Sequence, residues 1–411
     1  MTERAAQPGL VPRLAEARLA ELAARVPAVL VGGPLGSGKT TLLERYRAAR
    51  EDGSVPPRIA DDVPQRDEAV REIGSAVDAD PRPGRLVMAG SARLPALAGS
   101  LGDRLAVLDL WPLSMAERTG VPGDFPSAVF GDPQALAAGS GWSREQYAEC
   151  MAGGGYPEPL GLAPGARRAW YDGYLDAVLG QVIQGFARVY STDSMRRLIA
   201  LIAERAGTSL SVMDLSVNSG LTRPTTRRYL SYLDTAYLTI QIPSWRADLP
   251  LVKSPKLYPP DSGLAAHLLG VDAGYLANPR RRQLAPLLAT FAAGELVKAL
   301  AVGDPAVTLA HLRNFDLTDV DFMLEEPGGK VVGISLAAGE PGPKAMKGLR
   351  WLRGRIGDRL HAGIVLHLGT EAEFCGDGIY AMPLSVLWGH RPLAAGAPRD
   401  EGGDREAHPP S

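Results

Sequence analysis

A chain of 411 residues, 45% hydrophobic and 22% charged, is longer than one ordinary core serves and has the composition of a globular protein rather than a disordered or fibrous one. Apolar runs such as Ala28–Val31 fall far short of the roughly 18 residues a spanning helix needs, and MTERAAQPGLVPRLAEARLAEL lacks an apolar signal core, so a cytoplasmic chain without membrane contact is expected. A net charge of −2 and a pI near 6.3 exclude a global pull toward nucleic acid and leave local patches as the only route to it.

Leu14 to Val26 has helical spacing and leads into the short strand Ala28–Val31, after which comes a glycine-rich loop. Thr40 to Arg50 is helical again. Arg58–Ala60, Asp67–Val77, Arg85–Ala89 and Ala106–Leu110 continue as strand, helix, strand and strand, an alternation that predicts a parallel α/β sheet within residues 14–115. Trp111 to Gly141 reads as Pro- and Gly-rich connection. Residues 143–270 read as a helical region whose stretch 195–242 has the order of a winged helix, three helices followed by short strands. A mixed α/β domain is predicted for 284–390, opening with a helix and carrying strands at 305–310, 320–324, 330–336, 362–368 and 378–382. Residues 391–411 read as a disordered tail. Cys150 and Cys375 form neither a metal-ligand spacing nor a disulfide framework, and both are expected as buried thiols.

The segment GPLGSGKT at 33–40 fits the phosphate-binding pattern G-x-x-x-x-G-K-[ST], placed between a strand and a helix as that pattern requires. Glycines let successive backbone N–H groups face one point, and the following helix adds the positive end of its dipole there. Gly33, Pro34, Leu35, Gly36, Ser37, Gly38, Lys39, Thr40 and Thr41 are therefore the candidate nucleotide-binding residues. Lys39 would reach the β- and γ-phosphates, Thr40 would hold magnesium, and ATP with Mg2+ is the expected cofactor pair. Hydrolysis further needs a carboxylate near the metal, for which Arg58-Ile-Ala-Asp61-Asp62, a short strand ending in acid, is the best candidate.

Several segments in order extend the reading to residues 14–390. Beside the glycine loop these are VDADPRPGRLVMAGSARL (77–94), WPLSMAE (111–117), GGGYPEP (153–159), SPKLYPPDSGLAAHLLG (254–270) and YAMPLSVLW (380–388). Through them the chain resembles bacterial ATP-binding proteins with an N-terminal AAA-type domain and a C-terminal domain of unknown function 4143. The resemblance implies a P-loop NTPase sheet, with Asp61 as the Walker B aspartate and metal ligand. It also implies Ser91 as the polar sensor residue and Arg104 as a phosphate-sensing or structural arginine. The chain departs from the family in a short stretch between loop and Walker B, and in Asp62, which stands where the family has glutamate. Its carboxylate is one methylene shorter, so binding without rapid hydrolysis is expected.

The C-terminal domain is similar to restriction-endonuclease-type folds of the PD-(D/E)XK class, in which clustered carboxylates hold magnesium and a lysine assists the attacking water. Here Asp321 is kept, while Ala289, Ser335 and Ala337 stand where two glutamates and the lysine would be. The expectation is a weak ATPase acting as a nucleotide-dependent switch with an inactive nuclease-like domain. The alternative is an active ATPase coupled to DNA processing. A protein partner or homo-oligomer is allowed for, and DNA contact would use Arg223, Arg227 and Arg228 on the last winged-helix helix.

Overall fold

The run Ala28–Gly32 offers no polar side chain to water, and in the computed structural model it forms strand β1, buried along its whole length. The structure describes residues 11–49, 58–60, 63, 66–121, 123–245, 249, 251–315 and 318–389. Helix α1 (Ala15–Ala23) precedes β1 and α2 (Lys39–Ala48) follows the glycine loop. The alternation continues with β2 (Arg58–Ala60), α3 (Asp67–Ala79), β3 (Leu86–Gly90), α4 (Pro95–Leu101) and β4 (Leu105–Asp109). Among the described residues these four strands form a wholly parallel sheet in the order β2-β3-β1-β4, with Ala28 opposite both Leu86 and Leu105. Because all run one way, their C-terminal ends share one edge, and the glycine loop opens there.

Residues 111–141, expected as connection, carry three short helices: α5 (Met115–Thr119), α6 (Phe125–Gly131) and α7 (Pro133–Leu136). Each starts on a side-chain cap. Ser114 and Glu117 form a reciprocal capping box, while Asp124 and Asp132 cap helices with proline in the first turn. The helical region follows as α8 (Arg144–Gly153), α9 (Pro164–Ala177) with a π-helical turn at Val178–Val182, α10 (Thr192–Glu204), α11 (Val212–Ser219) and α12 (Arg223–Thr235). An antiparallel hairpin, β5 (Ile240–Ile242) with β6 (Lys256–Tyr258), and helices α13 (Ser262–Leu269) and α14 (Ala273–Leu276) complete it.

The last third opens with α15 (Leu284–Val302) and builds a separate mixed sheet from β7 (Thr308–Arg313), β8 (Asp319–Glu325), β9 (Val331–Ala337), β10 (Leu360–His367), β11 (Glu373–Phe374) and β12 (Ile379–Pro383). The order is β11-β12-β10-β9-β8-β7, parallel through β9, β10 and β12 and antiparallel elsewhere. Helix α16 (Pro343–Ile356) covers one face through Leu349 and Leu352, and α15 packs in the core on the other. Among the described residues α15 is the one helix long and apolar enough to cross a membrane, yet 56% of its apolar window is buried inside the protein. The largest core joins Trp142, just before α8, and Tyr147 on α8 to Phe291 on α15 and Trp388, so residues far apart in sequence share one apolar interior.

Candidate functional site

Strand β1 delivers Gly32 and Gly33 to the sheet edge. A Cβ on Gly33 would lie 2.2 Å from the Leu110 carbonyl oxygen, so this close passage between β1 and the end of β4 admits only glycine. Gly36 and Gly38 adopt positive φ of 73° and 95°, which turns the chain so that α2 begins at Lys39. Lys39 is buried, and its Nζ donates to the Gly33 and Pro34 carbonyls at 2.9 and 2.8 Å. Arg13, which the sequence does not single out, clamps the loop from outside. Its guanidinium donates to the Ser37 and Trp111 carbonyls, both at 2.7 Å, and pairs with Glu117 at 2.9 Å.

A cleft of about 680 Å³ lies over the loop, lined by Leu35, Gly36, Gly38, Lys39, Thr40 and Thr41, by Ser91 beyond β3, and by Glu158, Gln181 and Phe186 of the helical region. The structure thus brings Ser91 to the same cleft as Lys39 and Thr40. Asp61 and Asp62 lie outside the described residues; β2 ends at Ala60, opposite Met88. Arg104 is not brought to the loop. It precedes β4 at the opposite edge of the sheet, a strand length of roughly 15 Å away, and pairs with Asp78 on α3. Of the two roles expected for Arg104, phosphate-sensing or structural, this placement supports the structural one.

Three residues outside the sequence reading meet beside the loop. The Tyr237 hydroxyl donates to Asp109 at 2.7 Å, Arg93 pairs with Asp109 at 3.2 Å, and the Arg93 guanidinium stands 4.2 Å over the Tyr237 ring. Burial, then the Asp109 carboxylate, pushes the Tyr237 phenol well above its ordinary range. The Arg93 N–H also donates to the Thr235 carbonyl at 2.8 Å, which ties the turn after Ser91 to the end of α12. An acidic residue ending a strand next to a glycine loop was the signal available for Asp109; nothing in sequence marks Tyr237. Three segments that carry the resemblance also converge. The Leu113 N–H donates to the Gly155 carbonyl at 2.8 Å, and Asp261 accepts from the Gly155 N–H at 2.6 Å and from Tyr171 at 3.0 Å.

In the C-terminal sheet Asp319 and Asp321 fall on one face of β8, as alternation requires. The fully buried Lys256 reaches both, at 2.9 and 3.2 Å. Asp321 also accepts the Leu336 N–H at 2.8 Å. Burial raises the Asp319 carboxyl above its ordinary range while the Lys256 ammonium pulls it back. Ser335 presents a buried hydroxyl with no hydrogen-bond partner among the described residues, and Ala289 and Ala337 are buried methyl groups. Among the described residues no group of three or more His, Cys, Asp or Glu is placed to hold a metal ion. The residues present therefore do not fit the magnesium centre of a nuclease. On α12, Arg227 and Arg228 are exposed, and Arg223 lies against Met213.

Fold and site define an α/β protein with a glycine loop after a central parallel strand and a separate mixed sheet closing the chain. Residues 286–387 match the Domain of unknown function (DUF4143), and residues 144–274, before it, match the Domain of unknown function (DUF8612). The chain is similar to the uncharacterized proteins Rv2008c of Mycobacterium tuberculosis and Mb2031c of Mycobacterium bovis, each 29% identical over 313 residues. The matched stretch is 70% of this chain and 66% of each relative, so the chain spans just under two thirds of the curated relatives it matches.

Proposed function

We propose that the chain is a cytoplasmic AAA-type protein that binds ATP with magnesium at residues 33–41 and uses it as a switch, with slow hydrolysis. The observation that carries this reading is Lys39, a buried ammonium held only 2.8 to 2.9 Å from two neutral loop carbonyls at the start of α2. Charged phosphate oxygens are the stronger acceptors and would draw the lysine off those carbonyls. The backbone N–H groups of Gly36 to Thr40 would cradle phosphate, Thr40 and Asp61 would hold magnesium, and Ser91 would meet the terminal phosphate across the cleft. Asp62, shorter than glutamate, would orient water poorly. The C-terminal sheet does not cut nucleic acid in this reading.

The test is thermal melting of the full chain with and without MgATP. Wild type should be stabilised by millimolar MgATP, by about 2.7 kcal/mol at a hundredfold excess over Kd, and Lys39→Ala should melt cooperatively with no such shift. A wild type indifferent to MgATP overturns the proposal. DNA contact through α10 to α12 and the β5–β6 hairpin, in winged-helix order, is a second reading favoured by the exposure of Arg227 and Arg228. It requires salt-dependent duplex binding that falls in the double alanine variant.

A further inference from the structure

Lysine reaches the C-terminal carboxylates from an unexpected direction. The position matched to the catalytic lysine of nuclease folds is Ala337, whereas Lys256 belongs to the β5–β6 hairpin, far upstream in sequence. We infer that the Lys256 ammonium takes the place of a divalent cation between Asp319 and Asp321, making the C-terminal sheet metal-independent and fastening the hairpin to it.

Charge and geometry agree on this. The ammonium is fully buried and touches one oxygen of each carboxylate, at 2.9 and 3.2 Å. The other oxygen of Asp321 is taken by the Leu336 N–H. Arg313 stands directly opposite Asp319 in the β7–β8 ladder, so Lys256 and Arg313 together bring the two positive charges a divalent ion would supply. A hard cation seeks about six oxygens; among the described residues no third carboxylate joins the two aspartates, so the neutral Ser335 and Tyr258 hydroxyls and water would have to complete its shell, which makes a cation a weak competitor for the resident ammonium. An ammonium with three N–H donors needs fewer partners and suits the reduced set.

The same lysine carries a mechanical consequence. Its strand pairs with β5, and two residues of the segment joining β5 to β6 bond to β7, the backbone N–H of Trp245 donating to the His311 carbonyl at 2.7 Å and that of Val252 to the Arg313 carbonyl at 2.8 Å. Lys256 is therefore an ionic pin from the hairpin into the sheet, next to a backbone seam. Nothing in this depends on nucleotide binding.

Manganese titration of the nucleotide-free full chain, read by electron paramagnetic resonance, tests the inference. Wild type and Asp321→Asn should bind equal, background amounts of Mn2+. Lys256→Met should gain about one Mn2+ per chain, as a carboxylate pair released from its ammonium becomes a cation site, and adding Asp321→Asn should abolish that gain. Mn2+ should also raise the Tm of Lys256→Met and leave wild type unchanged. Mn2+ binding by wild type that needs Asp321, or a folded Lys256→Met that gains none, overturns the inference. Should Lys256→Met not fold, the comparison of wild type with Asp321→Asn decides alone, equal binding upholding the inference and dependence on Asp321 overturning it.

Discussion

Lys39 and Lys256 are both buried ammonium groups, and their neighbours separate their roles. The Lys39 ammonium donates to two loop carbonyls, where phosphate would be the stronger acceptor in the proposed mechanism, whereas the Lys256 ammonium is held by two carboxylates. Asp62, beyond the described residues, governs rate in the proposed mechanism. Asp62→Glu should raise single-turnover hydrolysis about tenfold, part of the ~10²–10⁴ a positioned base supplies, and Asp61→Ala should abolish it. A slower Asp62→Glu enzyme would place the catalytic strand elsewhere. His311 adds a pH dependence of stability. Burial, then the neighbouring Lys256, depresses its pKa to about 4, with Arg313 acting the same way and Asp321 and the Ser254 carbonyl opposing. Unfolded chains take up a proton near pH 6.5 and the native state does not, so stability falls as pH drops from about 6.5 to about 4, by about 3 kcal/mol, and levels off below. Urea unfolding across this range should give a flatter profile for His311→Gln than for wild type.

Between loop and helix, Arg13 and Glu117 form a nearly buried pair that binds the start of α1 to the start of α5 and to the glycine loop. Glu117 also receives the N–H of Ser114 in the capping box, so its carboxylate stays partly satisfied without Arg13. Arg13→Ala should therefore cost about 2–3 kcal/mol, less than the loss of a wholly buried partner. A double-mutant cycle with Glu117→Gln should show a coupling of about 1–2 kcal/mol. Urea midpoints of the four proteins measure it, and additivity would refute the pairing. Helices α5 to α7 show why element reading was incomplete. Their glycines and prolines resemble connection, but Ser114 with its Glu117 capping box, and Asp124 and Asp132 each with a proline in the first turn, are helix starts. Periodicity had no length over which to register such short turns. The strands were legible because buried apolar runs such as Ala28–Gly32 and Leu86–Gly90 need no partner to be recognised.

At the scale of the whole molecule, the lack among the described residues of a third metal-ligating side chain beside Asp319 and Asp321, together with the Lys256 pin, predicts one behaviour. Purified protein should cleave neither single- nor double-stranded DNA or RNA in magnesium or manganese. Cleavage that vanishes in Asp321→Ala would defeat that prediction, because Asp321 is the residue that the resemblance to nuclease folds would assign to a metal. The shared core adds a constraint on any switching motion. Trp142, Tyr147, Phe291 and Trp388 pack in one interior, and Glu295 and Lys298 of α15 reach the Met115 N–H and the Leu113 carbonyl near the glycine loop. The residues that flank the glycine loop are thus in direct contact with α15.

Sequence alone determined the parallel alternation of the first domain, the glycine loop with Lys39 at its end, and the mixed α/β character of the last third. Each of these is local: apolar runs, glycine spacing and helical periodicity act within a few neighbouring residues. Only the tertiary structure decided that Ser91 joins the loop cleft while Arg104 sits at the far edge, since parallel strands send their two ends in opposite directions. Only it brought Arg93, Asp109 and Tyr237 together, and Lys256 to Asp319 and Asp321. Those pairings join residues up to 128 positions apart, and at such separation no spacing rule links one charge to another; burial and charge neutralisation in the folded chain select the partners.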